Sequence, residues 1–106
     1  MKMNDYQNLA RATAVYPSKL GIYYTTLGLT GEAGEVAEKI KKMIRDNTPL
    51  DDCQTPVMNE LGDVLWYVAN LAHEMGLTLE EIAEANILKL ESRLSRGTIH
   101  GSGDER

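Results

Sequence analysis

Cysteine is almost missing from this chain: Cys53 stands alone, so no disulfide forms within it and an oxidising compartment is not indicated. No apolar run approaches the roughly 18 to 20 residues that a membrane span needs, and MKMNDYQ at the start has no hydrophobic signal core. Blocks of Lys or Arg are also lacking. The formal net charge is -5 with acids spread through the helical segments, so the expected partners include no nucleic acid and no membrane. Neither an internal repeat nor a run of sustained strand-like alternation is present. What these absences leave is a soluble, cytoplasmic, all-α chain. Its 106 residues give room for one domain and one modest core. A chain this short buries a smaller fraction of its surface than a larger one, which makes a homo-oligomer the expectation.

Periodicity predicts four helices. The first runs from Asn4 to about Val15, where Tyr16-Pro17-Ser18 breaks it, because a residue before proline is pushed out of the α region. A second begins between Lys19 and Leu27 and reaches Ile44 or Arg45, with Leu29, Ala33, Val36, Ala37, Ile40 and Ile44 as its inward stripe. Gly28, Gly31 and Gly34 recur at intervals of three within it and allow a backbone or bulky ligand to come close. Residues 46–56 read as a connection, with Thr55 as cap and Pro56 at the first position of a third, central helix ending near Met75. Thr78 and Glu81 form a capping box for a fourth helix reaching about Leu94. The short Gly76-Leu77 link makes the third and fourth helices an antiparallel hairpin. Residues 97–106 are a glycine-rich polar tail, either mobile or clasped onto a partner subunit.

Four acids carry the chemistry. Glu32 and Glu35 are three apart in GLTGEAGEVAEK, and Glu60 and Asp63 are three apart in NELGDVLWY. Residues at that spacing share a helix face, so each pair aims two carboxylates at one point. Four converging carboxylates in a partly buried cleft need a counter-charge, because burial and mutual repulsion both oppose ionisation. Oxygen ligands without Cys or His at ligand spacing fit Mg²⁺ or Mn²⁺ rather than Zn²⁺. Surface decoration is the plain alternative for one such pair, and two pairs on neighbouring helices are more specific. Magnesium held by carboxylates keeps open positions that substrate phosphates fill, which makes phosphoanhydride hydrolysis the natural reaction.

Around the acids, Glu38 extends the first row, pairs with Lys41 or Lys42, or faces water, and Lys39 either reaches phosphate or faces solvent. Asn86, Lys89 and Arg93 project from one side of the fourth helix and suit a polyphosphate. Tyr67 is the better aromatic for a nucleobase pocket, whereas Trp66 reads as core. His73 reads as packed or interfacial, and Met43, Met58 and Met75 as core fillers. A di-iron carboxylate site needs Glu-x-x-His on two helices, and neither His73 nor His100 has a glutamate three residues before it. A noncatalytic helical interaction module, or a nucleotide-sensing one, is the competing reading.

GLTGEAGEVAEKIKK followed by NELGDVLWYVANLAHEMGLTLEEIAEANILKLESR resembles the MazG-like nucleoside triphosphate pyrophosphohydrolases, whose pattern is E-x2-E, a linker, and E-x2-D. Here 24 residues separate Glu35 from Glu60, and the likeness covers roughly Leu27 to Arg93. The resemblance implies a four-helix bundle-like fold assembled as a dimer or tetramer, with sites near subunit boundaries. It also implies Mg²⁺-dependent cleavage of a nucleoside triphosphate between the α and β phosphates, yielding monophosphate and pyrophosphate. Carried onto this chain, Glu32, Glu35, Glu60 and Asp63 match the catalytic metal-binding acids. Tyr67, Asn86, Lys89 and Arg93 match substrate-binding positions. After Arg93 the run LSRGTIHGSGDER departs from the aromatic-proline terminus usual in the family.

Overall fold

The computed structural model describes all residues, 1–106, and is all-α. Its helices are α1 (Met3–Ala12), α2 (Gly21–Asp46), α3 (Leu50–Glu74) and α4 (Leu79–Ser95), with one turn of 3-10 helix at Ser18–Leu20. No helix is long and apolar enough to cross a membrane. The two long helices α2 and α3 pack against each other, and α1 lies across α3.

α2 ends as left-handed backbone at Asn47 (φ 50°), whose N–H bonds back to Ile44. α3 starts earlier than expected: Leu50–Thr55 is helical and Pro56 lies inside the helix, not at its first position. Asp51 and Asp52 at the new N-terminus complement the helix dipole, and Cys53 anchors these turns by burial. The helix loses only the donor that Pro56 lacks.

Gly76 (φ 72°) turns the chain out of α3, and the capping box at Thr78 and Glu81 then starts α4 with both reciprocal bonds formed. The expected antiparallel hairpin of α3 and α4 is not formed. α4 docks on α1 instead, because the buried Gln7 side chain donates to the carbonyls of Ala69 and Leu77 and accepts from the N–H of Leu79. One amide thus ties α1, α3 and the start of α4 together. Ala10, Ala69 and Leu79 fill the space beneath it, with Tyr6, Trp66 and Val68 packed around them.

A second clamp joins α1 to the end of α3. Glu74 accepts from Tyr16 Oη at 2.5 Å and from Arg11 Nη1 at 2.9 Å, over the open face of Gly21. The Tyr16 hydroxyl, helped by Arg11, holds the Glu74 carboxyl below its ordinary range.

The single chain covers little of its apolar surface. Only 10 of 106 residues are buried, and Leu27, Met58, Leu61, Ile87, Leu88 and Leu94 are among the large side chains left exposed. Met58 and Met75 face outward, against the expectation that they are core fillers, Met43 is half-buried, and His73 is exposed, as an interfacial rather than a packed imidazole would be. The radius of gyration is 16.6 Å, where a compact chain of this length has about 13 Å.

Residues 97–106 fold onto the end of their own helix. Arg93 donates to the carbonyls of Asp104 and Gly103, Arg96 to that of Arg106, and Arg106 to those of Thr98, Ile99 and Gly103. Three arginines supply the donors that the tail's carbonyls need.

Candidate metal centre

Glu32 projects from the middle of α2, and Glu60 and Asp63 project from α3 one turn apart. One carboxylate oxygen from each lies within 4.8 Å of the others. Glu32 and Glu60 are half-buried, whereas Asp63 opens to solvent. Burial first, then the nearby charges of Asp63, Glu60 and Glu35, raise the pKa of Glu32. This is the electrostatic signature of carboxylates gathered without enough positive charge.

The donor set fits a hard divalent cation such as Mg²⁺. Oxygens on an octahedron of about 2.1 Å radius lie about 3 to 4 Å apart, so a small closing movement of side chains would bring these three onto one ion. Glu35 lies near enough to add to the field on Glu32 but is exposed and stands outside the close triad. Lys39 is not free in solvent: its Nζ lies 3.5 Å from Glu60 Oε1. Glu38 pairs with Lys41 at 2.8 Å, away from the centre.

Tyr67 stands beside this cluster. Its ring fills the place where Gly28 has no side chain: a Cβ there would lie 2.1 Å from Cε1 of the ring. Burial raises the Tyr67 pKa, with further contributions from Tyr24 and from the charges of Glu32 and Asp63. Trp66 meets Tyr67 edge-on at 4.9 Å and donates its indole N–H to Thr13, a structural role consistent with its reading as core. Tyr24 flanks Tyr67 at 6.3 Å and stacks on Tyr16 at 5.0 Å. These two tyrosines continue the aromatic wall away from the acids. Their only sequence signal was the Tyr23-Tyr24 pair ahead of the α2 stripe, because Tyr16 joins from another segment.

Asn86, Lys89 and Arg93 are not brought to the acids within one chain, since α4 packs chiefly on α1 and touches α3 at its first residue, Leu79, beside Ala69. Asn86 and Lys89 are exposed, and Arg93 is buried under the tail.

With this geometry the comparisons with known proteins agree. Residues 23–97, well over half of the chain, match the MazG nucleotide pyrophosphohydrolase domain. The chain belongs to the MazG nucleotide pyrophosphohydrolase family. It is also 45% identical, over an alignment 118 positions long, to the Gene 37 protein of Mycobacterium phage L5, with 100% of each chain covered. No solved structure matches it. The family match takes in α2 from Tyr23 onward and the whole of α3 and α4, and so contains every acid of the cluster.

Proposed function

We propose that this MazG-family chain is a Mg²⁺-dependent nucleoside triphosphate pyrophosphohydrolase, cleaving between the α and β phosphates to give a monophosphate and pyrophosphate. The observation that carries the reading is the meeting of Glu32, Glu60 and Asp63 from two helices in a chain of this family. Mn²⁺ is the expected substitute for Mg²⁺. Bound there, the metal would neutralise charge developing on the phosphates and make a coordinated water more acidic.

In this reading the chain's own residues divide the work. Glu32, Glu60 and Asp63 hold the ion, and Glu35, exposed one turn from Glu32, is placed to take the water proton on a carboxylate oxygen. Tyr67 offers its ring to the nucleobase. Asn86 and Lys89, exposed on α4, hold the outgoing phosphates from a second copy of the chain, because α4 packs on α1 away from its own acids, and Arg93 joins them once the tail carbonyls of Gly103 and Asp104 release it. Homo-oligomerisation would both cover the exposed apolar surface and complete the site. The reaction would withdraw nucleotides from the triphosphate pool.

The test is a panel of standard and modified nucleoside triphosphates, ribo and deoxy, incubated with Mg²⁺ and with both products identified. Monophosphate and pyrophosphate in equal amounts are expected from at least one of them. Diphosphate with orthophosphate would mean a different bond is broken and would overturn the assignment.

A further inference from the structure

Glu60 is the acid of the cluster whose charge is already answered. Its side chain is 16% exposed, and Lys39 reaches it at 3.5 Å from the neighbouring helix. Lys39 lies four residues after Glu35 and seven after Glu32, so one face of α2 carries two acids and then this ammonium. The lysine bypasses Glu35 on its own helix and pairs across to α3. That choice follows from desolvation: the half-buried Glu60 gains more from a counter-ion than the solvent-exposed Glu35 does.

We infer that Lys39 is a built-in counter-cation of the carboxylate cluster, and that it competes with a divalent metal for Glu60. A metal bound by Glu60 places a dication where the ammonium now sits, so like-charge repulsion and loss of the shared oxygen both expel the lysine. Lys39 therefore sets the free-metal concentration at which the site fills, acting as a positioning residue for Glu60. The inference rests on the metal reading above and adds to it the ligand's resident competitor. No comparable effect is expected of Lys41, whose partner is Glu38.

Mn²⁺ affinity of the full chain without nucleotide, measured by electron paramagnetic resonance, tests this directly. Lys39→Met is expected to bind Mn²⁺ about threefold to tenfold more tightly than the unaltered chain, the range for a partly screened ion pair with repulsion added. Its melting temperature in EDTA should be lower, since the metal-free acids lose their partner. Lys39→Arg keeps the charge and should stay near the unaltered affinity. It serves also if the methionine variant folds poorly, with Lys39→Gln then taking the place of Lys39→Met. Lys41→Met should change nothing. Unchanged or weaker Mn²⁺ binding in the neutral Lys39 variants, beside normal binding in the unaltered chain, would overturn the inference alone. Absence of Mn²⁺ binding in the unaltered chain would overturn the metal reading as well.

Discussion

Glu60 and Glu32 differ in what their removal exposes. Glu60→Gln takes a charged oxygen from the cluster and leaves a neutral amide of the same size, so turnover is expected to fall about a hundredfold or more, the scale of losing one strong electrostatic contact in the transition state. The fold should survive, as circular dichroism would show, because the site is polar and opposed by its own charges. Glu32 makes a prediction about pH. Its folded pKa is raised, so its share of stability is full below the ordinary glutamate value of about 4.3 and is lost as pH rises through the raised folded value. Glu74 acts in the opposite sense, its share being present above its ordinary range and lost only as pH falls through its lowered value. Because the two act in opposite senses, the Glu32 share is read as a difference: in EDTA, Glu32→Gln should gain in melting temperature over the unaltered chain as pH rises from acid toward neutrality, and melt higher at neutrality. A variant that instead loses ground to the unaltered chain as pH rises would contradict the assignment. The acids were legible in the sequence because a spacing of three survives any helix boundary error of a residue or two. The pairing of Lys39 with Glu60 was not, since it depends on the offset between two helices that only packing sets.

At the scale of elements, the row of glycines in α2 separates into positions with different roles. Gly28 is required by contact: a methyl group there meets the Tyr67 ring at 2.1 Å, whereas nothing lies within 4 Å of one at Gly31 or Gly34. Gly28→Ala should cost about 1 to 3 kcal/mol in chemical denaturation through overpacking. Gly31→Ala should instead stabilise the isolated fold by up to about 1 kcal/mol through helix propensity. A loss of activity in Gly31→Ala despite that gain would mark its open face as the seat of substrate or of a second copy. Helix count, the α1 break and the capping box of α4 were legible because proline, threonine and glutamate act locally. The start of α3 was missed: Thr55-Pro56 is a strong local start signal, and burial of Cys53 with acids at Asp51 and Asp52 outweighs it. The hairpin was missed for another reason. Link length says that two helices are close in sequence, but the direction of α4 is set by Gln7, 72 residues away from the N–H it accepts from.

The whole molecule is extended, with apolar residues on the outside of α2, α3 and α4. Transferring such surface from water drives association, so sedimentation at micromolar concentration should give at least twice the 11.8 kDa of one chain. A species of 11.8 kDa at all concentrations would leave Asn86, Lys89 and Arg93 without a route to the acids. The central claim is that Glu32, Glu60 and Asp63 share a cation used on a triphosphate, and a crystal grown with Mn²⁺ and a nonhydrolysable nucleoside triphosphate tests it most directly. The account predicts an anomalous scattering peak at about 2.1 to 2.2 Å from carboxylate oxygens of all three residues, with phosphate oxygens on the same ion. Those three side chains pointing to separate solvent faces, with Mn²⁺ bound elsewhere or by the nucleotide alone, would contradict it.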